Sequence, residues 1–116
     1  MNGTIAVTRS LHKNANGYYD FELTYLGLGA FDAFNQILGL ALADYPEIRE
    51  VVQEMEDIYQ LNFYELNAKD FNTAVHVLGR FFKNLQNPTS EQELARRVWE
   101  ESVVALVRKD PRYQPS

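Results

Sequence analysis

Two histidines, sixteen carboxylates and a few hydroxyls carry all the conventional catalytic chemistry of this 116-residue chain, which has no cysteine. Neither histidine is placed for acid–base work. His12 sits in a polar run just before Asn14, and His76 falls about 160° from the centre of its helix's apolar stripe, beside Arg80 and Lys83. No serine lies in a Gly-x-Ser-x-Gly elbow. Leu26-Gly27-Leu28-Gly29-Ala30 precedes a helix but lacks the third glycine of a dinucleotide fingerprint and the lysine of a phosphate loop. It reads instead as close packing at a strand-to-helix turn. A di-iron bundle needs Glu-x-x-His pairs, whereas the residue three before His76 is Thr73. Calcium loops alternate acids about a central glycine, and no such run occurs. Two carboxylates can be picked from any set of sixteen, so their presence says almost nothing about acid–base catalysis. The expectation is a non-enzyme, with no catalytic residue, no cofactor and no metal ligand.

Charge is the more informative chemistry. Between Asp20 and Glu65 lie ten acids and one base, Arg49, a local net of −9, while the rest of the chain carries +4, giving −5 overall. Glu47, Glu50, Glu54 and Asp57 follow i, i+3, i+7 and i+10, which on a helix confines them to an arc of roughly 80°. Like charges at such spacings cost about 0.2–0.5 kcal/mol per pair, and no lysine is interleaved to offset them. Glu47 and Glu50 gain from the helix N-terminus, but Glu54 and Asp57 lie beyond its reach. A solvated face that keeps a small domain soluble is one reading of this stripe; a docking face for a cationic partner is the other. Tyr18 beside Asp20 and Glu22, and Tyr59 at the end of the acidic run, suit the second, because tyrosine offers apolar area and a hydroxyl together. Most tyrosines in such a chain are also explained as core or core-edge residues.

The elements that must position these groups follow from periodicity. Residues 1–26 alternate with the strand period of two in Thr4–Thr8 and Tyr19–Tyr25, separated by the turn signal Asn14-Ala15-Asn16-Gly17. The pattern predicts an antiparallel hairpin, with an all-α fold as the alternative. From Ala30 the period becomes 3.6. Phe31, Phe34, Ile37, Leu38, Ala41, Leu42 and Tyr45 form one stripe; Pro46 then suits the first turn of a second helix, with Ile48, Val51, Val52, Met55, Ile58 and Tyr59 on one face. That helix either runs on through Phe63 and Leu66, or Leu61–Leu66 forms a short third strand. A third helix is expected from Asp70 as its cap, with Phe71, Ala74, Val75, Leu78, Phe81, Phe82 and Leu85 inward. The fourth opens at a capping box, Ser90-Glu91-Gln92-Glu93, and bears Leu94, Ala95, Val98 and Trp99. The predicted fold is mainly α: one domain over 1–116, a bundle of about four amphipathic helices behind a short hairpin, with 109–116 a flexible tail after Pro111. Its core is expected to include Phe34, Leu38, Val52, Met55, Val75, Leu78, Phe82, Val98 and Trp99.

Composition bounds the rest. With 46% hydrophobic and 23% charged residues, the chain lies far from the disordered class, and its size lets it bury a core without a disulfide or metal staple. A pI near 4.9 argues against a domain that grips phosphate backbones. Met1–Ser10 lacks the apolar run of a secretory peptide, and the best membrane candidate, Leu26–Ala43, is broken by Asp32, Asn35 and Gln36. A cytoplasmic protein with neither a nucleic-acid nor a membrane partner is expected.

The ending, Trp99-Glu100-Glu101 followed by Arg108-Lys109-Asp110-Pro111-Arg112-Tyr113, on a small acidic helix-rich chain, resembles bacterial immunity proteins of contact-dependent growth inhibition systems. The resemblance covers about the last 20 residues and carries no catalytic or binding signature, so it assigns no residue a role. It implies a cytoplasmic protein that binds and blocks a toxin domain delivered by a neighbouring cell. Such toxins are often nucleases with basic clefts. The functional expectation is an immunity or antitoxin protein occluding a cognate toxin with a basic surface through Glu47, Glu50, Glu54 and Asp57, supported by Asp20, Glu22, Tyr18 and Tyr59. The alternatives are a helical regulatory adaptor on a housekeeping partner and a small carboxylate enzyme.

Overall fold

The computed structural model describes residues 2–115. Its centre is strand β1, Asn2–Arg9, which pairs antiparallel with β2, Phe21–Gly27, on one side and parallel with β3, Gln60–Asn62, on the other. The predicted hairpin is present, and its turn forms as the residues require. Asn14 Oδ1 accepts from the amides of Asn16 and Tyr18 at 2.9 and 3.1 Å, and Gly17 takes φ +83°, a conformation that costs glycine nothing. The third strand removes the all-α alternative and makes the fold α+β, a helical layer on a small mixed sheet.

Register decides which face of the sheet is buried. Ile5 stands opposite Thr24 of β2 and Leu61 of β3, and Ile5, Val7 and Leu61 are fully buried under the helices. A bulge at Val7, between the Ala6 and Thr8 pairings, lets the strand bend there. Thr24 and Leu26 therefore face inward, and the Phe21–Leu23–Tyr25 face of β2 points away from the helices. Phe21 and Tyr25 are 41% and 68% exposed. At Gly3 a Cβ would overlap the Phe31 ring, so the glycine lets β1 and the first helix approach closely.

Helix α1, Leu28–Ala41, follows β2 without a loop and buries Phe31, Phe34, Ile37 and Leu38. Helix α2, Pro46–Val52, has its proline in the first turn, as predicted, and buries Ile48 and Val52. Helix α3, Ala68–Lys83, buries Phe71, Ala74, Val75, Leu78 and Phe82. Its cap is Asn67, whose side chain accepts from the Asp70 amide at 2.8 Å; Asp70 is a first-turn residue rather than the cap. The cap of the last helix is shifted by one residue, a reciprocal Thr89–Gln92 box rather than Ser90–Glu93. It runs as α4, Ser90–Val98, through a π-helical turn at Trp99–Val103 into α5, Val104–Lys109. Phe34, Phe82 and Trp99 stack in a column from three helices, with centroids 6.3 and 6.0 Å apart.

Two expectations about packing fail. The second helix ends at Val52 instead of continuing, so Met55 and Ile58 leave its apolar face and are 36% and 60% exposed. Residues 110–114 are not a loose tail. Asp110, 4% exposed, accepts from the Thr8 hydroxyl and from Arg112 through its amide at 2.8 Å and its guanidinium at 2.7 and 2.8 Å. Arg112 also donates to the carbonyls of Val7, Phe63 and Leu66 at 2.7–3.0 Å and lies over the Phe71 ring at 3.9 Å. Pro111 does stop the helix, but Arg112 after it brings donors to backbone carbonyls of β1 and of the segment after β3.

Candidate functional site

The acidic surface is built on α2 and the turns after it. Burial of Ile48 and Val52 leaves Glu47 and Glu50 exposed. At the helix end, Gln53 is drawn to α1, where its amide donates to Asn35 O at 3.1 Å and Asn35 Oδ1 at 2.8 Å. Gly39 leaves room for that amide, since a Cβ there would come within 3.1 Å of Gln53 Nε2. Asn35 in turn donates to Glu56 Oε2 at 3.0 Å. Residues 53–56 are thereby pinned to α1, and Glu54 and Asp57 lie in a turn and in a 3₁₀ turn, Glu56–Ile58. The four-acid helical arc is consequently not formed as a helix stripe, and helical like-charge repulsion acts only within the Glu47–Glu50 pair. The carboxylates nevertheless remain on one short segment. Glu47, Glu50, Glu54, Glu56 and Asp57 are all exposed, and among the described residues none pairs with a cation within 4.0 Å. Arg49 lines an open cleft of about 600 Å³ together with Glu50, Glu54 and Glu56.

Chain reversal places apolar side chains beside these acids. Tyr59 takes φ +60°, an uncommon conformation for a non-glycine, with its amide on Glu56 O at 3.0 Å and the next amide, Gln60, on Met55 O at 3.2 Å. Its ring packs edge-on to Phe31 at 6.0 Å, half in the core. The turn exposes Met55 and Ile58. Beneath Met55 lies Asn62, 3% exposed, whose Nδ2 meets Met55 Sδ at 3.3 Å while Oδ1 has no partner among the described residues.

The hairpin residues are not brought onto this surface. With strand order β2-β1-β3, the hairpin and the 3₁₀ turn flank opposite edges of the sheet. Tyr18 is 71% exposed at the Asn14 turn, Asp20 accepts from Asn14 Nδ2 at 3.3 Å, and Glu22 stands opposite Thr8. Arg9 and Lys13 both lie over the Tyr19 ring, at 4.4 and 5.7 Å, so the hairpin end is mixed in charge. Tyr64 spans the gap, its ring 5.1 Å from Phe21. Burial first, then the Glu65 and Glu54 carboxylates, raise its hydroxyl above the usual tyrosine range, against an opposing pull from Arg9. The outward Phe21, Leu23 and Tyr25 had a sequence signal in their strict alternation; what was missing was which face the helices would cover.

His12 is exposed, and His76 is partly exposed with Nε2 on Gln114 O at 2.8 Å. No group of three or more His, Asp or Glu side chains among the described residues is arranged to hold a metal. Among the described residues no helix is long and apolar enough to cross a membrane. Compared with protein-family models, characterised proteins and solved structures, the chain gives no match.

Proposed function

We propose that the chain is an immunity protein that binds a toxin domain with a basic surface, a nuclease by preference, and blocks it by stoichiometric occlusion. The observation that carries this reading is the run of five exposed, unpaired carboxylates from Glu47 to Asp57 next to exposed Met55 and Ile58. A merely solubilising face needs charge but gains nothing from large apolar side chains set among the acids, whereas protein interfaces combine an apolar centre with a polar rim. The C-terminal resemblance to contact-dependent growth inhibition immunity proteins points the same way. A cationic side chain of the toxin would enter the cleft around Glu50, Glu54 and Glu56, with Ile58 and Met55 losing water at its margin.

The test is co-expression with the product of the adjacent toxin gene, followed by surface plasmon resonance at two salt concentrations. Electrostatic steering raises association rates by about 10- to 1000-fold and fades as salt shortens the Debye length to about 8 Å at physiological strength. Reversing Glu47, Glu50, Glu54 and Asp57 to Lys should slow association at low salt by about tenfold or more and leave the isolated fold intact. Ile58→Asp should act mainly on dissociation. Association at low salt that does not respond to charge reversal would reduce the acids to a solvated face, and failure to co-purify with the toxin would favour the adaptor reading.

A further inference from the structure

On an acidic chain of net −5, the charged side chains that line one groove are all cations. It runs between the second half of α3 and α5, encloses about 260 Å³, and is bordered by His76, Arg80 and Lys83 on one side and Arg108 on the other. His76, Arg80 and Lys83 sit at i, i+4 and i+7, one face of α3. No acid lines the groove, and among the described residues Arg80, Lys83 and Arg108 make no ion pair. Its walls are apolar, formed by Val75, Val104, Val107 and Tyr113, with the buried Trp99 behind them. The π-helical turn at Trp99–Val103 resets the helix phase just before α5, and such turns recur at functional sites.

Gly79 also borders this groove. In the middle of α3 glycine is the costliest residue short of proline, yet no positive φ and no close neighbour requires it: a Cβ there would meet nothing within 4 Å. Its effect is to leave the groove open. Helix dipoles favour cations in the last turns of α3 and α5, which explains each charge singly but neither their convergence on one groove nor the glycine.

We propose that this groove binds a small organic phosphate, its dianion held by Arg80, Arg108 and Lys83 and its planar body laid against Tyr113 and Val104, above the buried Trp99. Arginine forks match phosphate geometry. A groove of 260 Å³ lies just below the usual range for small-molecule pockets, about 300–1,000 Å³, and so fits an aryl phosphate better than a long polymer. Nucleic acid would also bring rows of phosphates towards a chain of net negative charge. This site is independent of the acidic surface and of the immunity reading.

Trp99 is the sole tryptophan, so its fluorescence reports on the groove directly. The protein would be titrated with phenyl phosphate, inorganic phosphate and phenol. Phenyl phosphate should give a saturable change, inorganic phosphate should bind about tenfold more weakly, and phenol should give none. Arg80→Gln and Arg108→Gln, both at exposed positions, should each weaken binding by about tenfold or more, and Gly79→Leu should abolish it with circular dichroism unchanged. The proposal is overturned if phenyl phosphate gives no saturable change up to about 10 mM, if the two arginine variants bind as the parent does, or if inorganic phosphate binds as tightly as the aryl ester.

Discussion

Replacing Arg112 by alanine tests whether residues 110–114 are part of the fold. The substitution removes donors from the carbonyls of Val7, Phe63 and Leu66 and strips Asp110, whose side chain is fully buried, of its counter-charge. Breaking a buried pair costs about 3–5 kcal/mol, chiefly through the charge left behind. Because Arg112 itself keeps 18% side-chain exposure, and water can reach part of the site, the lower end, about 3 kcal/mol, is expected. A chain of 116 residues has a total stability of about 6–17 kcal/mol at the usual value per residue, so the loss is a large share. With a urea slope of about 1–3 kcal/mol/M, the denaturation midpoint should fall by about 1–3 M. Arg112→Lys should recover only part of this, since an ammonium keeps the charge but cannot fork between three carbonyls. A double change, Asp110→Asn with Arg112→Ala, should cost less than the two singles together, because neither partner is then stranded. An Arg112→Ala midpoint within about 0.3 M of the parent would refute the reasoning and return 109–116 to a loose tail.

Acid should act through the same pair. Burial alone would raise the Asp110 carboxyl, but hydrogen bonds from Arg112 and Thr8 outweigh it and hold the group below the ordinary carboxylate range. The unfolded chain then takes up the proton first, so this stabilisation is complete above the ordinary value of about 3.9 and is lost as pH falls through the lower folded value; Asp110→Asn should flatten that part of a stability-versus-pH curve. Phe82→Ala, which empties the centre of the Phe34–Phe82–Trp99 column, should cost about 3–5 kcal/mol by urea denaturation. Gly3→Ala should cost about 1–3 kcal/mol through overlap with Phe31, read as a lowered melting temperature. Ile58→Lys should change stability by less than about 0.5 kcal/mol, whereas a large loss would put Ile58 back in a core. Replacing His12 and His76 together should leave the toxin binding we propose unchanged in the co-purification assay.

Local signals were legible and long-range ones were not. The hairpin turn follows from Asn14 and Gly17, and α1 and α3 from aromatic residues at helical spacing, because each of these is decided within a few neighbouring residues. The caps slipped by one or three residues because Thr89-x-x-Gln92 and Ser90-x-x-Glu93 satisfy the same pattern, and Asn67 lies three before Asp70. The acidic run kept helical spacing through Asp57, yet the helix stops at Val52. Gln53 is engaged by Asn35, eighteen residues earlier, and Leu61 and Phe63 must reach β1. Nothing within that segment announces either demand. Arg112 looked solvent-bound because its partners lie 46, 49 and 105 residues away. Of the candidate interface, the carboxylates were visible as a charge imbalance, whereas the exposure of Met55 and Ile58 came only with the chain reversal at Tyr59.

The tie between Val7 and Arg112 also sets a schedule for synthesis. Strand β1 leaves the ribosome before its partners, pairs readily with nearby β2, and then waits for β3 and finally for the guanidinium at 112. Contacts of such separation lengthen the search for the native state, and until the last of them closes, the carbonyls of Val7, Phe63 and Leu66 lack the guanidinium that ties them together. A nascent chain halted before residue 112 would therefore hold nearly all of the acidic surface in a body that is not yet locked. If this protein guards a cell against an incoming toxin, protection would begin only once translation has passed that arginine, and a truncated product would compete poorly for the toxin while being an easy substrate for proteases.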